Sequence, residues 1–186
     1  GYNNSDVGLY LNNGNGTFTR NSSSIIANDS SWSYGCAFGD YDNDGFEDLA
    51  VATTRFNNTD EPDFLYHNDG NANNWITITL TGTVTNRSAI GVRIRLLAVI
   101  NSVPVWQMRE ISAQNAYCSQ NDFRAHFGLG NATSIDSVIV EWPGTATEIY
   151  TGLTSNDFIT ITEGSGISGI KNKPGNSPEF QIYPNP

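Results

Sequence analysis

The sequence predicts an all-β chain, with an acidic, repeat-built first part followed by a β-sandwich. Three observations carry that prediction. Short apolar stretches alternate with polar residues, and Gly, Pro and Asn punctuate them at intervals of roughly ten residues. No stretch shows a sustained helical period. The formal charge of −10 is unevenly placed along the 186 residues. Residues 1–74 hold eleven acids and two arginines, 75–163 hold seven acids and five arginines, and 164–186 hold one acid and two lysines. The chain therefore divides at 1–74, 75–163 and 164–186. So acidic a balance lacks the basic footprint of nucleic-acid binding. No run reaches the roughly 20 apolar residues of a membrane helix.

Taken in order, Val7 to Phe18 reads as a strand, a Gly/Asn turn and a second strand. Asn21 to Ser33 is polar and reads as loop. Tyr34 to Gly39 is a short strand feeding an acidic loop, and Leu49 to Thr53 is the strand after it. Asn57 to Pro62 reads as loop. The stretch Asp63-Phe-Leu-Tyr-His-Asn-Asp-Gly70-Asn then echoes Val7-Gly-Leu-Tyr-Leu-Asn-Asn-Gly14-Asn. Self-similarity at a spacing of roughly 56 residues suggests blades of a propeller. Strands near Leu9–Leu11, Cys36–Phe38, Leu49–Ala52 and Phe64–Tyr66 are expected to form one small sheet.

The acidic loop is Asp40-Tyr-Asp42-Asn-Asp44-Gly45-Phe46-Glu-Asp48. Four carboxylates this close repel one another unless a cation lies between them. Ca²⁺ suits such a set, because it takes 6–8 oxygen ligands in flexible geometry. Asp40, Asp42, Asp44 and Asp48 would supply side-chain oxygens and Phe46 its carbonyl. Gly45 reaches the positive φ of a sharp turn without steric cost. The first half resembles an EF-hand loop. The second half does not, since an EF-hand closes on a Glu at position 12 and Val51 stands there. The alternative is an Asp/Gly-rich turn without metal.

Phe38-Gly-Asp40-Tyr-Asp42-Asn-Asp44-Gly45-Phe-Glu-Asp48-Leu, with Leu9-Tyr-Leu-Asn-Asn-Gly-Asn-Gly-Thr-Phe before it, resembles the FG-GAP/VCBS repeat of integrin-type β-propellers. The resemblance implies that the loop binds Ca²⁺ within a blade. A closed propeller has at least about four blades, and residues 1–74 hold little more than one. They are expected either to belong to a longer protein or to be completed by another chain.

In residues 75–163, Trp75 to Thr81 alternates as a half-buried strand should. Val92, Ile94 and Leu96 fall on one face of the next strand, with Arg93 and Arg95 on the other. Further strands are expected over Val103–Ile111, Asp122–Phe127, Ile135–Trp142, Glu148–Tyr150 and Asp157–Thr162. The expected core includes Trp75, Ile94, Leu96, Phe127, Val138, Val140 and Ile159. Asn74-Trp-Ile, Asn86-Arg-Ser-Ala-Ile-Gly-Val-Arg93, Tyr117-Cys-Ser-Gln120, His126-Phe-Gly-Leu-Gly130 and Val140-Glu-Trp-Pro143 resemble the ASPIC/UnbV domain of the cartilage acidic protein family. That resemblance implies architecture and no transferable activity.

Glu163 to Gly169 and Lys171 to Pro178 read as a flexible linker. Phe180-Gln-Ile-Tyr-Pro-Asn-Pro186 resembles the opening of the type IX secretion sorting domain of Bacteroidota, which implies export to the cell surface or beyond. Cys36 and Cys118 are either bonded to each other or buried as free thiols.

Catalytic constellations are sparse. His67 stands where Leu11 stands in the first repeat copy and is expected to be structural, as is His126 in its strand. No nucleophile elbow, metalloprotease His-Glu pair or phosphate loop occurs. Glu110 and Glu141 are the two carboxylates that could be weighed as a glycosidase pair. The expected function is a non-enzymatic, secreted or cell-surface, calcium-binding adhesion or ligand-binding protein whose partner is an extracellular protein or glycan. The alternative is a structural subunit of an extracellular filament or assembly. Exposed strand edges of an unfinished propeller would favour that alternative through self-association.

Overall fold

The structure is a computed structural model that describes residues 8–28, 32–54, 62–144 and 147–169. Nearly all of its regular structure is β, with one short 3₁₀ turn at Ile25–Asn28. The chain forms two compact units, each assembled from separated segments.

The first unit draws on residues 1–38, 48–67 and 114–121. Strands β1 (Tyr10–Asn12) and β2 (Phe18–Arg20) form an antiparallel hairpin. Asn side chains organise its turn: Asn12 Oδ1 accepts from the Gly14 amide and Asn15 Oδ1 from the Thr17 amide. A separate sheet has the order β3 (Ser33–Gly39), β4 (Asp48–Thr53), β5 (Phe64–Tyr66). In β4, Leu49 and Val51 are buried, while Ala50 between them is exposed. The two repeat copies thus enter different sheets. The first copy pairs locally as a hairpin instead of joining the three-stranded sheet, because its Gly/Asn turn returns the chain to its own neighbour.

Residues 114–121 also belong to this unit, although their sequence lies within the stretch read as sandwich. The Phe38 amide donates to Asn121 Oδ1 at 3.0 Å. A Cβ on Gly35 would meet the Cys118 carbonyl oxygen at 2.8 Å. That close approach requires glycine. Cys36 and Cys118 are both free and exposed, which differs from either expectation for them. Cys36 lies on the exposed face of β3, and Cys118 lies in a turn at positive φ.

The second unit draws on residues 39–47, 68–113 and 122–186. Two four-stranded sheets make a sandwich. One has the order β12 (Thr147–Tyr150), β11 (Ser137–Glu141), β7 (Arg93–Ile100), β8 (Val103–Glu110). The other has the order β15 (Gly166–Gly169), β14 (Asp157–Thr162), β6 (Asn74–Thr81), β9 (Ala125–Gly130). A small ladder joins β10 (Ser134–Ile135) to β13 (Leu153–Thr154).

The core follows from period-two alternation. Ile94, Leu96 and Ala98 of β7 are fully buried, and Arg93 and Arg95 are exposed. Val138 and Val140 of β11, Phe127 and Leu129 of β9, and Ile159 and Ile161 of β14 complete the same cluster. Each of the larger side chains, Val, Leu, Ile or Phe, contributes about 1.5–3 kcal/mol on burial.

Two expectations are corrected here. Trp75 is buried but lies outside that cluster. Ile76, Ile78 and Leu80 belong to it, so Trp75 points to the opposite face of β6. Gly166–Gly169, read as linker, is a strand antiparallel to β14. Its Gly/Ser composition hides an edge strand whose support is backbone pairing, for example Ile161 with Ile167.

A buried carboxylate ties the end of β14 to the turn after β6. Glu163 is 5% exposed, and its Oε2 accepts the backbone N–H groups of Thr83, Val84 and Thr85 at 2.8–2.9 Å. Among the described residues, no helix is long and apolar enough to cross a membrane.

Candidate metal centre

The acidic loop closes on its own aspartates. Asp40 Oδ1 accepts the Asp44 amide at 3.1 Å, and its Oδ2 accepts the Gly45 amide at 2.9 Å. Asp42 Oδ1 shares the Asp44 amide at 3.2 Å, and Asp44 Oδ1 accepts the Phe46 amide at 2.8 Å. These Asx-type turns are why Asp, rather than Glu, suits the loop: the short side chain reaches its own backbone. Asn43 and Gly45 take positive φ of 59° and 94°, conformations that Asn tolerates and Gly adopts freely.

The carboxylates of Asp40, Asp42 and Asp48 bring one oxygen each within 4.8 Å of one another. Asp40 and Asp48 are each only 2% exposed. Burial pushes the Asp40 carboxyl above its usual value, opposed by the Gly45 amide and the Arg124 charge, with the Asp44 charge adding to the rise. This all-oxygen donor set can hold a metal ion. Asp44 extends the acidic surface of the loop and is exposed. Phe46 is half-buried, with its ring against Gly70, where a Cβ would lie 2.5 Å from the ring. Of the five expected ligands, Asp40, Asp42 and Asp48 form one such set, and Asp42 and Asp44 belong to a second with His67.

The loop segment 39–47 is held within the sandwich unit by residues whose contacts with it the sequence did not signal. Gly45 lies against the indole of Trp75, so closely that a Cβ would sit 1.9 Å from Cε2 and Cζ2. Trp75 is fixed in turn by Asn156, which accepts the Trp75 amide at 3.1 Å through Oδ1 and donates its own amide to the Trp75 carbonyl at 2.6 Å. The Phe158 ring packs 4.7 Å from the Trp75 ring. Arg124 donates through Nη2 to the Asp40 carbonyl at 2.5 Å and through Nη1 to Asn43 Oδ1 at 2.8 Å. Its Nε pairs with the Asp122 carboxylate. Asn68 donates to the Glu47 carbonyl at 3.2 Å. No local pattern signals these partners, because each lies twenty or more residues from the loop position it holds.

Of the other residues weighed from sequence, His126, Glu110 and Glu141 have structural settings. His126 lies in β9, with Nδ1 3.3 Å from the Thr77 hydroxyl and its ring stacked on Trp75. Burial first, then the Arg109 and Arg124 charges, lower its pKa to about 4. His67 follows β5 and is exposed. Glu110 and Glu141 lie on strands either side of β7, both in register with Arg93. Glu110 pairs with Arg93 at 3.4 Å and Glu141 with Arg95 at 2.5 Å. Each carboxylate therefore faces a guanidinium on the sheet.

No curated protein matches the chain. By family, residues 1–51 are similar to the FG-GAP-like repeat, and residues 82–168 to the ASPIC and UnbV domain. The first match includes the whole acidic loop and the start of β4, and the second runs from the turn after β6 into β15. The chain thus combines a segment similar to an FG-GAP-like repeat with one similar to the ASPIC and UnbV family.

Proposed function

We propose that this chain is a non-enzymatic Ca²⁺-binding module of the secreted or cell-surface class, acting in adhesion or ligand binding toward an extracellular protein or glycan. The observation that carries the proposal is the pair of almost wholly buried carboxylates, Asp40 and Asp48, gathered with Asp42 within 4.8 Å. Buried like charges are costly unless a cation offsets them. Oxygen-only donors favour a hard cation, and a flexible loop favours Ca²⁺ over Mg²⁺, which demands near-ideal octahedral geometry. Asp44 and the Phe46 carbonyl would complete the shell with water. Bound Ca²⁺ would neutralise the loop and stiffen it.

The test is calorimetric titration of the metal-stripped chain, with thermal melts alongside. Ca²⁺ should bind, and at one hundred times its Kd should stabilise the protein by about 2.7 kcal/mol. Asp40→Asn should weaken binding strongly, while Asp136→Asn, on an exposed turn, should not. A wild-type titration without heat or stabilisation would end the calcium reading.

Export is proposed on the Phe180–Pro186 motif, which lies outside the described residues. Deleting Phe180–Pro186 should abolish export from a type IX-competent cell, and continued export of the deletion variant would refute it. The filament alternative is separated by negative-stain imaging with Ca²⁺ and with chelator: discrete particles support the adhesion module, and calcium-dependent polymers support the assembly subunit.

A further inference from the structure

We infer that Arg124 is a positioning residue for the cation loop and that, with Phe158 and Trp75, it couples the loop's occupancy to the sandwich. The inference rests on the calcium reading above and adds to it the residues through which binding is set and transmitted.

The contacts form a closed circuit within one compact unit. Gly45 sits on the Trp75 indole. Trp75 packs on Phe158, and the Arg124 guanidinium lies 6.0 Å from the centre of the Phe158 ring. Arg124 then returns to the loop through the Asp40 carbonyl and Asn43 Oδ1. A guanidinium is suited to this, because its planar fork presents several donors in fixed directions. Two of them are spent on the loop and a third on Asp122.

Arg124 touches the backbone oxygen of Asp40 and leaves the carboxylate oxygens to the Asp44 and Gly45 amides and to a cation. Its own charge is paired with Asp122, so its net repulsion of a cation is reduced. The main effect of Arg124 is therefore geometric. It fixes the residue that anchors the donor set and the left-handed Asn43 beside it. Groups that orient metal ligands in this way change affinity by about 10–100-fold when removed.

The experiment uses the full chain with Arg124→Met, Arg124→Lys and Asn43→Gly. Asn43→Gly keeps the positive φ accessible while removing one acceptor of the guanidinium, and serves if Arg124→Met does not fold. Calcium affinity is read by calorimetry, and loop order by hydrogen exchange at the Asp44 and Gly45 amides in metal-free protein. Arg124→Met should bind Ca²⁺ at least tenfold more weakly and exchange those amides at least tenfold faster. Arg124→Lys should recover part of both, and Asn43→Gly should show smaller changes in the same direction. In wild type, Ca²⁺ should slow exchange at the Trp75 amide as well as in the loop. If wild type binds Ca²⁺ and a folded Arg124→Met matches it in affinity and exchange, this inference falls and the calcium reading stands. If wild type binds no Ca²⁺, both fall.

Discussion

Replacing Gly45 by alanine tests the docking of the acidic loop directly. The backbone there has φ of 94°, and the added Cβ would lie 1.9 Å from two carbons of the Trp75 ring. Two costs follow. A residue with a Cβ at positive φ loses about 1–2 kcal/mol. Forcing an extra methyl into filled space costs about 1–3 kcal/mol, since the Phe158 ring packs 4.7 Å from the indole and Asn156 holds the Trp75 backbone. Together they predict a destabilisation of about 2–5 kcal/mol. Gly152→Ala is the internal control, because its φ is 73° and a Cβ there meets nothing within 4 Å. It should lose only the backbone part, about 1–2 kcal/mol. Urea denaturation followed by tryptophan fluorescence gives both values. A Gly45→Ala protein no less stable than the Gly152→Ala control would show that loop and indole are not in firm contact.

His126 should make stability depend on pH. Its folded pKa of about 4 lies below the ordinary value of 6.5, so the unfolded chain binds the extra proton between those values. This contribution is complete above pH 6.5 and is lost as pH falls toward 4. Denaturation midpoints of wild type and His126→Gln should keep a constant offset above pH 7 and converge below pH 6.5; a constant offset throughout would refute the assignment. Glu163→Ala should destabilise the sandwich by about 2–4 kcal/mol by stripping the acceptor from the Thr83, Val84 and Thr85 amides. Glu163→Gln, which keeps one oxygen, should recover part of that in a thermal melt, and equal losses for the two variants would count against the amide cradle.

What was legible in the sequence is what the chain encodes locally. The alternation of Val92, Ile94 and Leu96 with Arg93 and Arg95 fixes the two faces of β7. Asp157 to Thr162 emerges with the bounds its pattern suggests. The acidic loop is legible because its aspartates fold back on amides a few residues away. Features that depend on distant partners were not legible. Nothing around residue 124 announces a guanidinium aimed at residue 40, and nothing in the polar run 114–121 announces that it packs with β3. Gly166–Gly169 lacks the apolar signature of a strand because backbone pairing with β14 supports it. Trp75 was rightly expected to be buried but placed on the wrong face, since β6 is covered on both sides and periodicity does not say which side is the core.

The place of β14 in its sheet has a consequence for the order in which the protein can assemble. β14 is an interior strand, lying parallel to β6 with Asp157 opposite Ile76 and Thr162 opposite Thr81. A parallel neighbour cannot be reached through a tight turn, and pairing so remote in sequence makes folding slow. Until the chain has emerged past Thr162, β6 shows one bare edge and the core lacks Ile159 and Ile161. Emergence from the ribosome is therefore a period of exposure in which chaperones could hold the chain unfolded.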